Sequence, residues 1–286
     1  MSHDQSMEDA LERAALAIRS AEAILIGAGA GMGVDSGLPD FRGGGGFWKA
    51  YPPYAKLGLD FVSLANPRWF ASDPELAWGF YGHRLMLYRE TDPHEGFTIL
   101  HRWMSRLAHG GFVYTSNVDG HFQKAGFSPE QVYEVHGSIG AMQCLSECGV
   151  EIFSADPFSL NVDHQTMRAI PPLPKCPNCG AMARPNILMF GDWGWDSSRS
   201  DTQQRSLKAW LVSKVGGPLV IVECGAGTAI PSVRLTCQDI AQRYDGTLIR
   251  INPREPEVPE GQISLPMRAS DALRALDERI GSWMPD

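Results

Sequence analysis

The sequence predicts an α/β fold, a doubly wound parallel sheet with a smaller domain inserted, on three observations. Short apolar runs at 23–26 and 219–223 end in glycine-rich turns, as buried parallel strands do. Amphipathic helical patterns separate such runs, so successive strands lie parallel. Two stretches, 43–92 and 141–183, fit neither pattern; the first is rich in aromatics and the second holds four of the six cysteines.

Met7, Leu11, Ala14, Ala15 and Ile18 repeat at helical spacing and give a first helix. Ala23-Ile-Leu-Ile26 follows as a strand and hands over to Gly27-Ala-Gly-Ala-Gly31. Glycines in such a turn, here Gly29 and Gly31 around Ala30, let the backbone approach a phosphate and aim N–H groups at it. Met32 and Val34 stand where the third glycine of G-x-G-x-x-G would fall, so the dehydrogenase fingerprint is absent. Further strands are expected at 112–115, 132–135, 186–190, 219–223 and 247–251, with helices around 94–108, 200–213, 231–243 and 269–280. Ligands of doubly wound sheets sit at the carboxyl ends of the strands, where Gly27, Asn117, His136, Gly225 and Asn252 fall.

In the first extra stretch, Asp73-Pro74 reads as an N-cap followed by proline at the first helical position. Ala77, Trp78, Tyr81, Leu85 and Tyr88 then share a face, with Tyr81 and Arg84 neighbours on the helix surface. In the second, Cys144 and Cys148 form one pair and Cys176 and Cys179 another, 27 residues further on. Two such pairs suit a closed tetrahedral site for zinc, which would staple the small domain and leave no position for a reacting water. Cys224 ends an apolar run and Cys237 lies in a helical pattern, so both are expected to be buried thiols.

At 286 residues and 43% hydrophobic, the chain is long enough for one large α/β domain with an insertion. Its apolar runs are too short to span a bilayer, and no basic, apolar leader opens it, so a cytoplasmic protein is expected. A net charge of −8 argues against nucleic-acid and anionic-membrane partners.

The glycine turn continues as Ser36-Gly-Leu-Pro-Asp40-Phe41-Arg42; Asn117-Val118-Asp119 ends another predicted strand, and His136-Gly-Ser138 a third. Together these motifs resemble the sirtuin family of NAD-consuming protein deacylases, over most of the chain. The resemblance implies a Rossmann-like NAD-binding domain from 1–42, 93–140 and 184–286, with 43–92 and 141–183 as the small domain. The glycine run Gly43–Gly46 would then act as a lid over the cofactor. Acylated lysine-bearing proteins are the implied partners.

In the reaction that the resemblance implies, the acyl oxygen attacks C1′ of the nicotinamide ribose, nicotinamide leaves, and His136 serves as base. Asn117 would orient the ribose or a water, and Asp119 would receive the carboxamide, with Ser116 where the family has glutamine. Phe41 would shield the ribose, and Arg42 would pair with phosphate or order the loop. Gly225-Ala226-Gly227 replaces the usual Gly-Thr-Ser against the cofactor, and Asn252 matches the residue that holds the adenosine ribose. Arg184-Pro-Asn-Ile-Leu-Met-Phe190-Gly191-Asp192 resembles the segment that offers backbone to a substrate peptide, with Asp192 in place of glutamate. Trp193 and Trp195 follow it, to shape the cleft or to pack inside. Tyr81 and Arg84 resemble the pair that binds the carboxylate of succinyl or malonyl groups in one branch of the family. ADP-ribosyl transfer to protein, NAD hydrolysis, and a zinc-stabilised NAD-binding module with little catalysis are the alternatives.

Overall fold

The computed structural model describes residues 3–39, 47–49, 51–213 and 217–281. Asp40, Phe41, Arg42 and the Gly43–Gly46 run lie outside the described residues. Helix α1 (His3–Ser20) leads into β1 (Ala23–Ala28) and the short α2 (Ala30–Val34). Three more short helices follow, α3 (Pro52–Lys56), α4 (Phe61–Leu64) and α5 (Arg68–Ser72), and then α6 (Pro74–Glu90) and α7 (Glu95–Arg106). The chain continues through β2 (Gly111–Thr115), α8 (His121–Lys124), β3 (Val132–Glu134) and β4 (Gly137–Cys144). After β5 (Phe153–Ser154), β6 (Asn161–Asp163), β7 (Arg168–Ile170) and β8 (Ala183–Ile187) come α9 (Ser198–Val212) and β9 (Leu219–Cys224). Helix α10 (Ser232–Arg243), β10 (Thr247–Ile251), β11 (Ile263–Leu265) and α11 (Ala269–Ile280) complete the described elements.

Six strands form one parallel sheet in the order β11-β10-β9-β1-β2-β3. The strand order reverses between β1 and β9, the switch point where ligands of such sheets bind. Side chains alternate across β1, which is why a six-residue apolar strand serves two cores. Ile24, Ile26 and Ala28 pack with residues of α1, α7 and α11, whereas Ala23 and Leu25 pack with residues of α9 and α10.

One predicted strand is corrected. The segment expected at 186–190 in the parallel sheet is β8 at 183–187, paired antiparallel with β4 in a separate three-stranded sheet β5-β4-β8. Its backbone bonds go to β4, and its buried Arg184 and Asn186 find polar partners there and in the following loop, in Gln143 and Asp192, which the parallel sheet does not offer. The short β11, not anticipated, closes the opposite edge.

A third apolar cluster joins the aromatics of 47–88 to Ile139, Met142, Met167, Ala183 and Met189. Helix α6 begins as expected: the Asp73 side chain accepts from Leu76 N at 3.3 Å, with Pro74 in the first turn. Phe47, Tyr51, Tyr54 and Phe80 lie ring against ring within it, at centroid separations of 5.3 to 6.3 Å. Among the described residues, no helix is long and apolar enough to cross a membrane.

Candidate active site

Backbone meets backbone at the switch point. Gly31 N donates to Gly225 O at 3.0 Å, and Gly29 N donates to Cys224 O at 3.0 Å. Gly225 has φ of +61°, and a Cβ there would stand 2.5 Å from the Gly31 Cα. Glycine is required on both counts. The same contact explains why Gly29 and Gly31 flank Ala30: a Cβ on either would press into the Gly225–Ala226 backbone at 2.7 to 2.8 Å.

Asparagine amides lace the neighbouring loops to this pair. The buried Asn117 donates from Nδ2 to Gly29 O at 3.0 Å, and its own N–H donates to Thr115 Oγ1 at 3.0 Å. Asn252, also buried, donates to Ala226 O at 2.8 Å while its Oδ1 accepts from Arg254 N and Glu255 N. Arg234 adds a guanidinium to the carbonyls of Ala226 and Glu255. Ser116 N donates to Ala28 O, and Ile139 N to Val118 O at 2.9 Å, so the Asn/Asp turn is tied to β1 on one side and to β4 on the other. Asp119, half-buried, accepts from His121 N through Oδ1, and its Oδ2 lies 3.5 Å from the Cβ position of Gly33.

His136 sits between β3 and β4, immediately before Gly137. Burial holds its pKa below the ordinary imidazole value of 6.5, and the Ser116 backbone offsets part of that by favouring the charged form. Its carbonyl accepts from Leu188 N at 3.0 Å, which brings the segment after β8 alongside the histidine.

Beside this junction opens a cleft of about 420 Å³ lined by Gly31, Asp35, Gly225, Asn252, Arg254 and Arg268, among others. Its glycine floor, exposed backbone and flanking guanidiniums fit a dinucleotide with a pyrophosphate. Asp35, Arg254 and Arg268 were not singled out from the sequence; only the position of Arg254, two residues past Asn252, could have signalled one of them. Gly227 is buried in the same turn as Gly225 and Ala226.

The substrate-side residues fall in two places. Tyr81 and Arg84 are both buried on α6. The Arg84 guanidinium lies 5.2 to 5.8 Å from the ring centroids of Phe61, Phe80, Tyr81 and Tyr88. Its Nε and Nη2 donate to Tyr88 Oη at 3.0 and 2.8 Å. Tyr88 was read only as part of an apolar face; its place one turn after Arg84 was the available signal. Burial raises the Tyr88 pKa, Arg84 opposes the rise, and the Asp119 charge adds to it, so this helix is electrically within reach of the Asn/Asp turn. Phe190 and Gly191 belong to the other place: Phe190 N donates to Ala65 O at 2.9 Å, its ring meets Phe61 edge-on at 6.2 Å, and Gly191 turns the chain with φ of +67°. Trp193, for which internal packing was one expectation, is fully exposed instead, whereas Trp195 is partly buried.

The four predicted metal ligands converge. The Sγ atoms of Cys144, Cys148, Cys176 and Cys179 all lie within 4.8 Å of one another, and the Cys144–Cys179 and Cys148–Cys176 pairs are 3.6 Å apart. Zinc–sulfur bonds of about 2.3 Å in a tetrahedron place sulfurs about 3.8 Å apart, so four thiolates here fit structural zinc. Cys224 and Cys237 are fully buried, as expected.

The model of the Sir2 family matches residues 29–221. The chain is 31% identical over 257 residues to NAD-dependent protein deacylase 1 of Archaeoglobus fulgidus, covering 88% of this chain and 90% of the relative. It is 30% identical over 248 residues to the mitochondrial NAD-dependent protein deacylase sirtuin-5 of Danio rerio, at 78% and 77% coverage. Among solved structures, a Sir2 homologue in complex with NAD aligns with a TM-score of 0.70 and 26% identity, over 96% of this chain and 94% of that one.

Proposed function

The chain belongs to the Sir2 family and is an NAD-dependent enzyme of that kind, and from this premise we propose that it removes acyl groups from lysine side chains of proteins. The observation that carries the reading is the convergence of Gly29, Gly31, Asn117, Gly225 and Asn252 at the switch point, with His136 at the head of β4 beside them.

Bound NAD supplies an electrophilic ribose C1′ with nicotinamide as leaving group. The residues around it then divide the work. Gly29, Ala30, Gly31 and the Gly225–Gly227 turn bring backbone to the pyrophosphate, and Asn252 fixes the adenosine end. Asn117, held by Gly29 O, orients the reacting ribose, and Asp119 receives the carboxamide. Ser116 and Val118 line the same turn. His136 accepts a proton at its ring nitrogen from a hydroxyl; an imidazole whose pKa is held low by burial is neutral at physiological pH and free to do so. Phe190 and Gly191 belong, in this reading, to the segment that offers backbone to an extended substrate peptide.

The acyl group in this proposal carries a carboxylate, as succinyl and malonyl do. The support is Arg84: a buried guanidinium among four aromatic rings, bonded to the Tyr88 hydroxyl, favours a charged oxygen over the neutral methyl of an acetyl group. Four cysteines grouped for zinc and two buried thiols suit a reducing compartment, and a cytoplasmic place of action belongs to the proposal.

Mass spectrometry after incubation with NAD and acetyl-, succinyl- or malonyl-lysine peptides tests it. Free lysine with O-acyl-ADP-ribose is the expected product pair. ADP-ribose attached to protein, or released without change in the peptide, would instead identify a transferase or an NAD hydrolase.

A further inference from the structure

The segment after β8 leaves the His136 strand end and is then pinned by buried polar groups on both sides of Trp193. On one side, the wholly buried Asp192 carboxylate takes two bonds from Arg184, at 2.7 and 2.9 Å. On the other, the Gly194 carbonyl accepts from Gln143 Nε2 at 2.7 Å and from Arg184 Nη2 at 3.1 Å. Asn186 and Gln143 hold the next turn, through Asp196 O at 2.8 Å and Asp196 N at 3.2 Å. Between these anchors the Trp193 side chain is 99% exposed.

A lone exposed apolar side chain needs no explanation. This one has a charged companion and a fixed place. The Glu147 Oε1 oxygen, itself on an exposed residue, stands 3.8 Å from the Cβ position of Gly194, so a carboxylate borders the indole-bearing turn. An indole on a pinned turn with a carboxylate from the neighbouring loop at its border is complementary to a cation, and to guanidinium above all, which stacks on a ring while its N–H groups meet an oxygen. The protein's net charge of −8 works in the same direction at longer range. Four residues lie between Leu188, bonded to His136, and Trp193, and the five steps span at most about 18 Å. An extended peptide covers that distance in about five residues.

We propose that Trp193 and Glu147 form a subsite for a basic side chain of the substrate protein within a few residues of the acylated lysine. The inference rests on the deacylase reading above. Fluorescence anisotropy of succinyl-lysine peptides with Arg, Ala or Glu at each of the flanking positions tests it, on the wild type, Trp193→Ala and Glu147→Gln. The Arg peptide is expected to bind the wild type about three- to tenfold more tightly than the Glu peptide at one or two positions, and each substitution to bring that ratio towards one. Equal affinities in the wild type, or an Arg preference that both variants keep, would overturn the subsite. Turnover of the same peptides with NAD is read in parallel. Arg-selective binding without turnover sinks the deacylase reading and leaves the subsite standing, whereas turnover without Arg selectivity sinks the subsite alone.

Discussion

Asn117 Nδ2 donates to the carbonyl oxygen of Gly29 at 3.0 Å, so the turn after β2 and the glycine loop after β1 form one unit. Replacing Asn117 with Ala removes a buried hydrogen bond worth about 1 kcal/mol and leaves the ribose end of the site without its orienting amide. Thermal melting is expected to shift by only about 2–4 °C, while kcat/KM for deacylation falls about 100-fold or more. A variant that keeps near-normal turnover would show that the amide acts only as a loop tie.

In the proposed reaction the pH dependence falls on His136. Its pKa lies below the usual 6.5 because of burial, so deacylation should be flat through neutral pH and fall only below that value, as the ring takes a proton and stops acting as base. His136→Ala should abolish turnover without unfolding the protein. His83, His94 and His121 are likewise held low by burial. In the window between those lowered values and 6.5 the unfolded chain binds more protons, so stability should decline as pH falls through it. Urea unfolding at pH 5.5 and 7.5 checks the sign.

Arg84→Met keeps much of the side-chain volume and removes the guanidinium from its aromatic surroundings. Desuccinylation should lose about tenfold or more in kcat/KM with deacetylation little changed. Equal losses on both peptides would assign Arg84 to packing through its bonds to Tyr88.

Cys176→Ser opens the four-thiolate cluster. Metal content, read by plasma emission spectrometry, should drop well below one zinc per chain, and the small domain should melt first, because metal affinity there is folding free energy. Activity should follow, since β4 carries a metal ligand, Cys144, at one end and begins next to His136 at the other.

The sheet was legible because its central strands are uninterrupted apolar runs, and the zinc ligands because their spacing permits little else. β8 was misplaced for a physical reason: Arg184 and Asn186 are buried inside it, paired with Asp192 and Gln143, so its true core positions read as polar. β11 offers only three residues, too few to carry a period. Within the candidate site, the motifs named the residues proposed to bind but not those that hold them in place. Gln143 reaches the Gly194 carbonyl 51 residues away and Arg234 the Ala226 carbonyl across a turn, with nothing local to mark them, whereas Tyr88 was marked only by standing one turn from Arg84.

Cys144 and Ala183 are register partners on β4 and β8. Everything between them, the metal cluster included, therefore departs from and comes back to a single doorway in the structure. A substitute for that module would have to do more than bring its two ends equally close: it would also have to cover the side of α6 that Leu160, Met167 and Ala169 now shelter.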